Sequence, residues 1–225
     1  MENQISAETR EKKLLSIVFL ALALCVLASN FLSFINSIIG PEPTNYMFFS
    51  GVEILINVIV VILAIVLAAV LTIKRRGVFS IIGGIFLVIA TLINLMNAFV
   101  YDFTLSLLLI RNYIFTDFAT LEMFFRITGI VSIIVNFLCL VAYILLAAGT
   151  RTSKIFKTTI VATGAFFFFM TVANEFIVPV LLNPDMRSIY YDIYNVLRPA
   201  IHIVIIAVCI IEFISANRQA KSCQE

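Results

Sequence analysis

Asp117-Phe118-Ala119-Thr120-Leu121-Glu122-Met123-Phe124-Phe125-Arg126 opens a stretch that runs on to Ala148, and beyond Arg126 it is almost wholly apolar for more than twenty residues. A carboxylate and a guanidinium one helical turn apart thus stand at the mouth of a segment that passes the ~18-residue threshold for a membrane-spanning helix. A charge pair there is costly unless it has a partner or a task. Five further windows of the same character occur, and together the six use well over half of the 225 residues. The chain is therefore expected to be all-α, a polytopic membrane protein of six transmembrane helices arranged as three hairpins.

Composition agrees. Hydrophobic residues make up 62% and charged residues 12%, where a soluble domain carries roughly a quarter charged residues. Outside the spans only connections and short tails remain, so the expected organisation is an N-tail over 1–13, one transmembrane domain over 14–216 and a C-tail over 217–225. No Gly-rich phosphate loop, His-Glu-x-x-His motif or Ser-His-Asp order is present. No cofactor and no metal are expected. The cysteines Cys25, Cys139, Cys209 and Cys223 show no Cys-x-x-Cys spacing, and three of them lie in apolar spans as small packing residues.

Breakers and start signals divide the chain. Helix one is expected over Leu14–Ile39, closed by Gly40-Pro41-Glu42-Pro43. Its apolar run is too long for a signal-peptide core, so a retained helix is expected despite Arg10, Lys12 and Lys13 ahead of it. Helix two is expected from Ser50 to Ile73, with Ser50-Gly51-Val52-Glu53 as a capping box. Helix three is expected over Val78 to Val100, with Tyr101 to Thr116 lying along the interface. The fourth runs from Asp117 to Ala148 and the fifth from Ile155 to Leu182, with Pro179 near its outer end. Asn183-Pro184-Asp185 then starts the sixth, which reaches Ala216 with Pro199 as its expected kink.

The charges are sorted by side. Arg10, Lys12, Lys13, Lys74, Arg75, Arg76, Arg151, Lys154, Lys157, Arg218 and Lys221 fall at one face, 11 of the 15 basic residues and every lysine. The positive-inside rule makes that face, and with it both termini, cytoplasmic. Tyr46, Tyr101, Tyr113, Tyr190, Tyr191 and Tyr194 fall at the opposite face, as an interfacial aromatic belt does.

Polar residues inside the spans are just as uneven. Glu53, Asn57, Asn94, Asn97, Glu122, Arg126, Asn174, Glu175, Arg198 and His202 all fall in the outer halves, while Ile62–Leu71, Ile81–Ile89, Leu138–Leu146 and Ile203–Ile211 are nearly free of polar side chains. A continuous aqueous pore needs polar lining through the full thickness. An outward-facing pocket needs it on one side only, and these ten residues are its candidate ligand-binding set. Each also has a plainer role: Glu53 as a cap, Glu122 and Arg126 as an i,i+4 pair, the asparagines as interhelical glue, His202 as a satisfied core histidine. Glu122, Arg126, Glu175, Arg198 and His202 are expected to face the bundle interior. Arg126 is expected to reach Glu53 or Glu175 across the bundle.

Three functions fit this pattern. The first is a cell-membrane protein binding a small solute or lipid headgroup in an outward-facing pocket, as an uptake or sensing component. In layout alone this is similar to the substrate-binding subunits of energy-coupling-factor transporters, although the alanine-rich spacing of that group's first helix is broken here, Ala21 being followed four residues later by Cys25. The second is a non-catalytic scaffold in a larger membrane complex. The third, an intramembrane enzyme with Glu122 or Glu175 as base and His202 as acid, has no motif behind it. The expected partners are membrane lipid, a small-molecule ligand and another membrane protein. The mixed signs of the outer charges do not suit nucleic acid.

Overall fold

The computed structural model describes residues 2–39, 43–73, 77–111 and 118–222. The Gly40 breaker, the Lys74-Arg75-Arg76 turn, Tyr113, Asp117 and Cys223 lie outside the described residues. Every described element is helical: α1 Glu2–Ile39, α2 Pro43–Ile73, α3 Val78–Arg111, α4 Phe118–Gly149, α5 Lys154–Val172, a π-helical turn Ala173–Ile177, α6 Val178–Leu181 and α7 Pro184–Ser222. Six candidate spans, the fifth running from α5 through the π turn into α6, are long and apolar enough to cross a membrane, and in none is more than 33% of the apolar window buried inside the protein. Most apolar side chains thus face outward, as they do where lipid is the solvent. With no water to hydrogen-bond the backbone there, helices satisfy every peptide group locally.

Four expected boundaries need correction. The second helix starts at Pro43, so Ser50 lies well inside it and Glu53 does not complete a capping box. Proline at the first helical position lacks only an N–H that would have no partner anyway, which makes Pro43 the stronger start signal. The third helix does not stop at Val100 but continues to Arg111. Between those residues no glycine or proline interrupts it, so the chain projects along the helix axis instead of turning onto the interface. The first helix extends back to Glu2, well ahead of Leu14. The last runs 39 residues, from Pro184 past Ala216 to Ser222, with Pro199 inside it.

The fifth span is the interrupted one. Pro179 cannot donate a backbone bond, and its ring crowds the carbonyl four residues back, at Glu175. The chain widens into a π turn ahead of it, and the Val178 N–H reaches the Ala173 carbonyl five residues back. The α6–α7 turn is then held by Arg187, whose Nε donates to the Leu182 carbonyl at 2.8 Å and whose Nη2 donates to that of Pro179 at 2.6 Å. Asn183 caps α7 as expected, its Oδ1 accepting from the Met186 N–H at 2.9 Å.

The long helices form a closed ring. α1 packs on α2, α2 on α3, α3 on α4, α4 on α5, α5 on α7, and α7 returns to α1. α3 and α4 run antiparallel, since Gly83 meets Leu146 at one end while Asn97 meets Ser132 towards the other. Small residues set the spacing. A Cβ on Gly84 would lie 3.1 Å from the Ala68 Cα, and one on Gly164 would lie 3.2 Å from the Leu140 Cα. The densest packing lies in the half of the bundle nearest Gly149 and Ser153, where Leu15, Leu67, Leu71, Leu87, Leu146, Phe156 and Cys209 are all at most 2% exposed. Six helices contribute to this plug, and Ser16, Ser80, Thr150 and Glu212 are buried in the same half.

Gly149 and Gly129 give opposite expectations. A Cβ on Gly149 would land on the Ser80 side chain and 2.5 Å from its backbone nitrogen, which cannot swing aside. Gly149→Ala should cost about 1–3 kcal/mol through forced separation of α3 and α4, read as a lower melting temperature in detergent. The nearest atoms a Cβ on Gly129 would meet all belong to the Glu175 carboxylate, the far end of a flexible side chain. Gly129→Ala should leave the melting temperature nearly unchanged, and the reverse ranking would contradict this packing.

Candidate functional site

A cavity of about 250 Å³ lies inside the ring, and all six long helices line it. Its depth follows from the ~1.5 Å rise per helical residue. Phe19 and Tyr143 sit about 10 Å from the bundle's basic end, counted from Lys12 and Gly149, while Asn94 and Arg198 sit about 20–25 Å from it, counted from Gly77 and Glu212. The cavity therefore occupies the middle of the spans. Its walls near the basic end are apolar and aromatic: Phe19 lies 5.7 Å from Tyr143 and 5.6 Å from Phe156, ring centre to ring centre. The plug of buried residues continues below them.

At the other end stand the polar groups. His202 is buried, and its Nδ1 lies 2.7 Å from the Arg198 carbonyl. A carbonyl only accepts, so Nδ1 carries the proton and Nε2 is the nitrogen left for other contacts. The ring also packs 5.1 Å from that of Phe167, another cavity residue. Arg198 has its guanidinium carbon 5.8 Å from the Tyr194 ring centre, within cation–π reach. Its Nε is buried with no hydrogen-bond partner, and no carboxylate pairs with it among the described residues.

Around the cavity runs a belt of side-chain hydrogen bonds that joins successive helices. The Ser29 hydroxyl donates to Glu53 at 2.9 Å, linking α1 to α2. Asn94 donates to the Asn57 carbonyl oxygen at 3.2 Å, linking α3 to α2, and Asn57 donates to its own helix at the Glu53 carbonyl. Asn97 donates to the Ser132 hydroxyl at 3.3 Å, linking α3 to α4. Asn136 donates to Thr171 at 3.1 Å, linking α4 to α5. The Tyr190 hydroxyl donates to Asn174 at 2.7 Å, linking α7 to the π turn.

Of the ten candidates read from sequence, Asn94, Arg198 and His202 line the cavity. Glu53, Asn57, Asn97 and Asn174 belong to the belt. Glu122, Arg126 and Glu175 are exposed, which corrects the expectation that they face the interior. Arg126 pairs with Glu122 at 2.7 Å, their side chains 76% and 51% exposed, and reaches neither Glu53 nor Glu175. An i,i+4 pair forms within one helix end and needs no charge carried across apolar packing. Glu175 rests instead against Gly129. Glu212, whose position allows snorkelling towards Arg218, is 4% exposed and accepts the Ser153 N–H at 2.9 Å.

Four polar cavity residues escaped the sequence reading: Thr91, Asn136, Tyr143 and Thr163. Tyr143 carried a signal, being the single tyrosine placed inside an apolar span rather than at an interface. Asn136 carried another, an amide at mid-span between Val135 and Phe137.

If the belt holds the ring, Asn97→Leu and Asn136→Leu should each cost about 0.6 kcal/mol, the average for interhelical bonds in membrane proteins, and at most ~1.7. Both side chains contact Ser132, so the double variant should depart from the sum by the coupling through that shared partner. Unfolding titrations in mixed micelles measure both, and full stability in the double variant would remove the belt from the account of this fold. Compared with protein-family models, characterised proteins and solved structures, the chain matches none.

Proposed function

We propose that this protein is a multi-pass protein of the cell membrane that binds a small solute in its central cavity, as a component of uptake or sensing. The observation that carries this is Arg198: a guanidinium lining a mid-span cavity, one nitrogen buried without a partner. A charged side chain within a span is costly unless it is paired or faces a cavity, and such residues mark binding sites and pathways. The belt accounts for Asn57, Asn97, Asn174 and Glu53 as structural glue, as a scaffold would use them. It accounts for neither the cavity nor Arg198. A catalytic role has less support, because Glu122 and Glu175 both lie away from the cavity that holds His202.

The proposed orientation puts both termini and the Arg151 turn in the cytoplasm, with the Asn183 turn outside and the spans grouped as three hairpins. Its support is the collection of basic residues at one end of the ring, where Lys12 of α1 meets Gln219 of α7 at 3.3 Å. Single cysteines at the exposed positions Lys154 and Ser188, in a background with Cys223→Ser, should react with an impermeant thiol reagent from opposite sides of the membrane. Reaction from the same side would refute the orientation.

Binding in the cavity is tested by filling it. Ala90 lines the cavity and is fully buried. Ala90→Phe, with Ala23→Phe as a second choice on another helix, should leave a folded ring with little room for solute. In a thermal-shift screen of small solutes, a true ligand at about 100 times its Kd stabilises the parent protein by about 2.7 kcal/mol. The filled variants should lose that shift. Hits that stabilise parent and filled variants equally bind elsewhere and would end the cavity proposal.

A further inference from the structure

We infer that the solute is a monocarboxylate of about ten non-hydrogen atoms in all, its carboxylate on the Arg198 guanidinium and its apolar body directed towards Phe19 and Tyr143; the inference rests on the cavity proposal above. Charge comes first. Among the described residues, Arg198 is the single permanently cationic group lining the cavity, and no carboxylate lines it. A half-buried cation without a counter-charge favours an anion, and the planar fork of arginine matches a carboxylate through two parallel hydrogen bonds. A dianion such as phosphate would bring a second negative charge into an apolar site with nothing to balance it.

The remaining polar groups narrow the choice. Asn136 has both amide hydrogens engaged, on Ser132 and Thr171, Asn94 spends one of its two on Asn57, and the Thr91 hydroxyl donates to the Val88 carbonyl of its own helix. They offer little donor capacity to a second charged group. Size and shape exclude a bare ion. An apolar cavity of ~150 Å³ holds benzene, so about 250 Å³ corresponds to about ten non-hydrogen atoms, and a lone chloride would leave apolar walls facing empty space. Those walls are Phe19, Leu22, Val26, Leu87, Phe167 and Ile205. The polarity also runs along the bundle axis, cationic at the Arg198 level and aromatic about 10 Å nearer the basic end. That gradient fits a molecule with one charged end and one apolar end.

The test uses full-length protein in nanodiscs and four probes: phenylacetate, octanoate, the neutral isostere 2-phenylacetamide, and inorganic phosphate. Phenylacetate stays largely in water and octanoate partitions into lipid, so the two arms separate a water-borne from a lipid-borne source of the same chemistry. The expected result is binding of at least one carboxylate, at least tenfold weaker binding of the amide, and none of phosphate. Arg198→Gln should reduce carboxylate affinity at least tenfold with little change for the amide, and Arg198→Lys should fall between. Should Arg198→Gln fail to fold, the lysine variant and the ratio of carboxylate to amide affinity in the parent protein carry the test. Equal affinity for phenylacetate and its amide, phosphate binding as tight as carboxylate, carboxylate binding unchanged in Arg198→Gln, or no carboxylate binding at millimolar concentration would each overturn the inference. Ala90→Phe separates the two proposals: neutral solutes that bind the parent and not Ala90→Phe would leave the cavity proposal standing while the carboxylate inference falls.

Discussion

Hydrocarbon offers a side chain no hydrogen bond, and this constraint shapes everything else in the protein. An amide or carboxylate placed within a span is costly unless it finds a partner inside the molecule, and most of those described do, the buried Asn30 amide nitrogen being an exception. The partners found are successive helices: Ser29 with Glu53, Asn57 with Asn94, Asn97 with Ser132, Asn136 with Thr171, Asn174 with Tyr190. Between helices in lipid there is no hydrophobic driving force to bring surfaces together, so close small-residue contacts and such bonds carry the association. The two devices occupy different depths. Glycine and alanine contacts at Gly83, Gly84 and Gly149 hold the half with the tightly packed core, and the hydrogen-bond belt holds the other half.

The two span arginines show how differently one residue type can be accommodated. Arg126 lies at the beginning of a span, where a carboxylate one turn away and high exposure make it cheap to keep. Arg198 lies inside its helix in the outer half of the span, half-buried, with its guanidinium beside the Tyr194 ring. Only the second is out of balance with its surroundings. That imbalance, and not the presence of charge as such, separates a structural pair from a candidate binding group.

The spans were legible because hydropathy and breakers are local signals. The fourth helix ends beside its expected limit, and Asn183-Pro184 starts the last one as its cap chemistry requires. Glu53 was misread for the opposite reason. Ser50-Gly51-Val52-Glu53 fits a local motif, but the true partner of Glu53 is Ser29, 24 residues earlier on another helix. Arg126 was misread in reverse, a distant carboxylate being expected where a neighbouring one suffices. The widening at Ala173–Ile177 had only Pro179 to announce it. The cavity had no local announcement at all. It is the space left where side chains from six helices fall short of meeting, and Ala23, Ala90 and Gly164 contribute to it by what they lack.

The carboxylate of Glu212 caps the first turn of α5 through Ser153, although the two residues are 59 positions apart, and α7 also closes the ring against α1. Both contacts wait for the final helix. During synthesis the chain emerges in order at ~5–20 residues per second, so the five earlier spans pass through a period as an open crescent. In that interval the start of α5 has no Glu212, the belt residue Asn174 has no Tyr190, and the future cavity is an exposed groove on one side of the crescent. A nascent chain stalled before its last span would present that groove to whatever lies beside it in the bilayer, which makes the sixth helix the step that converts a surface into an interior.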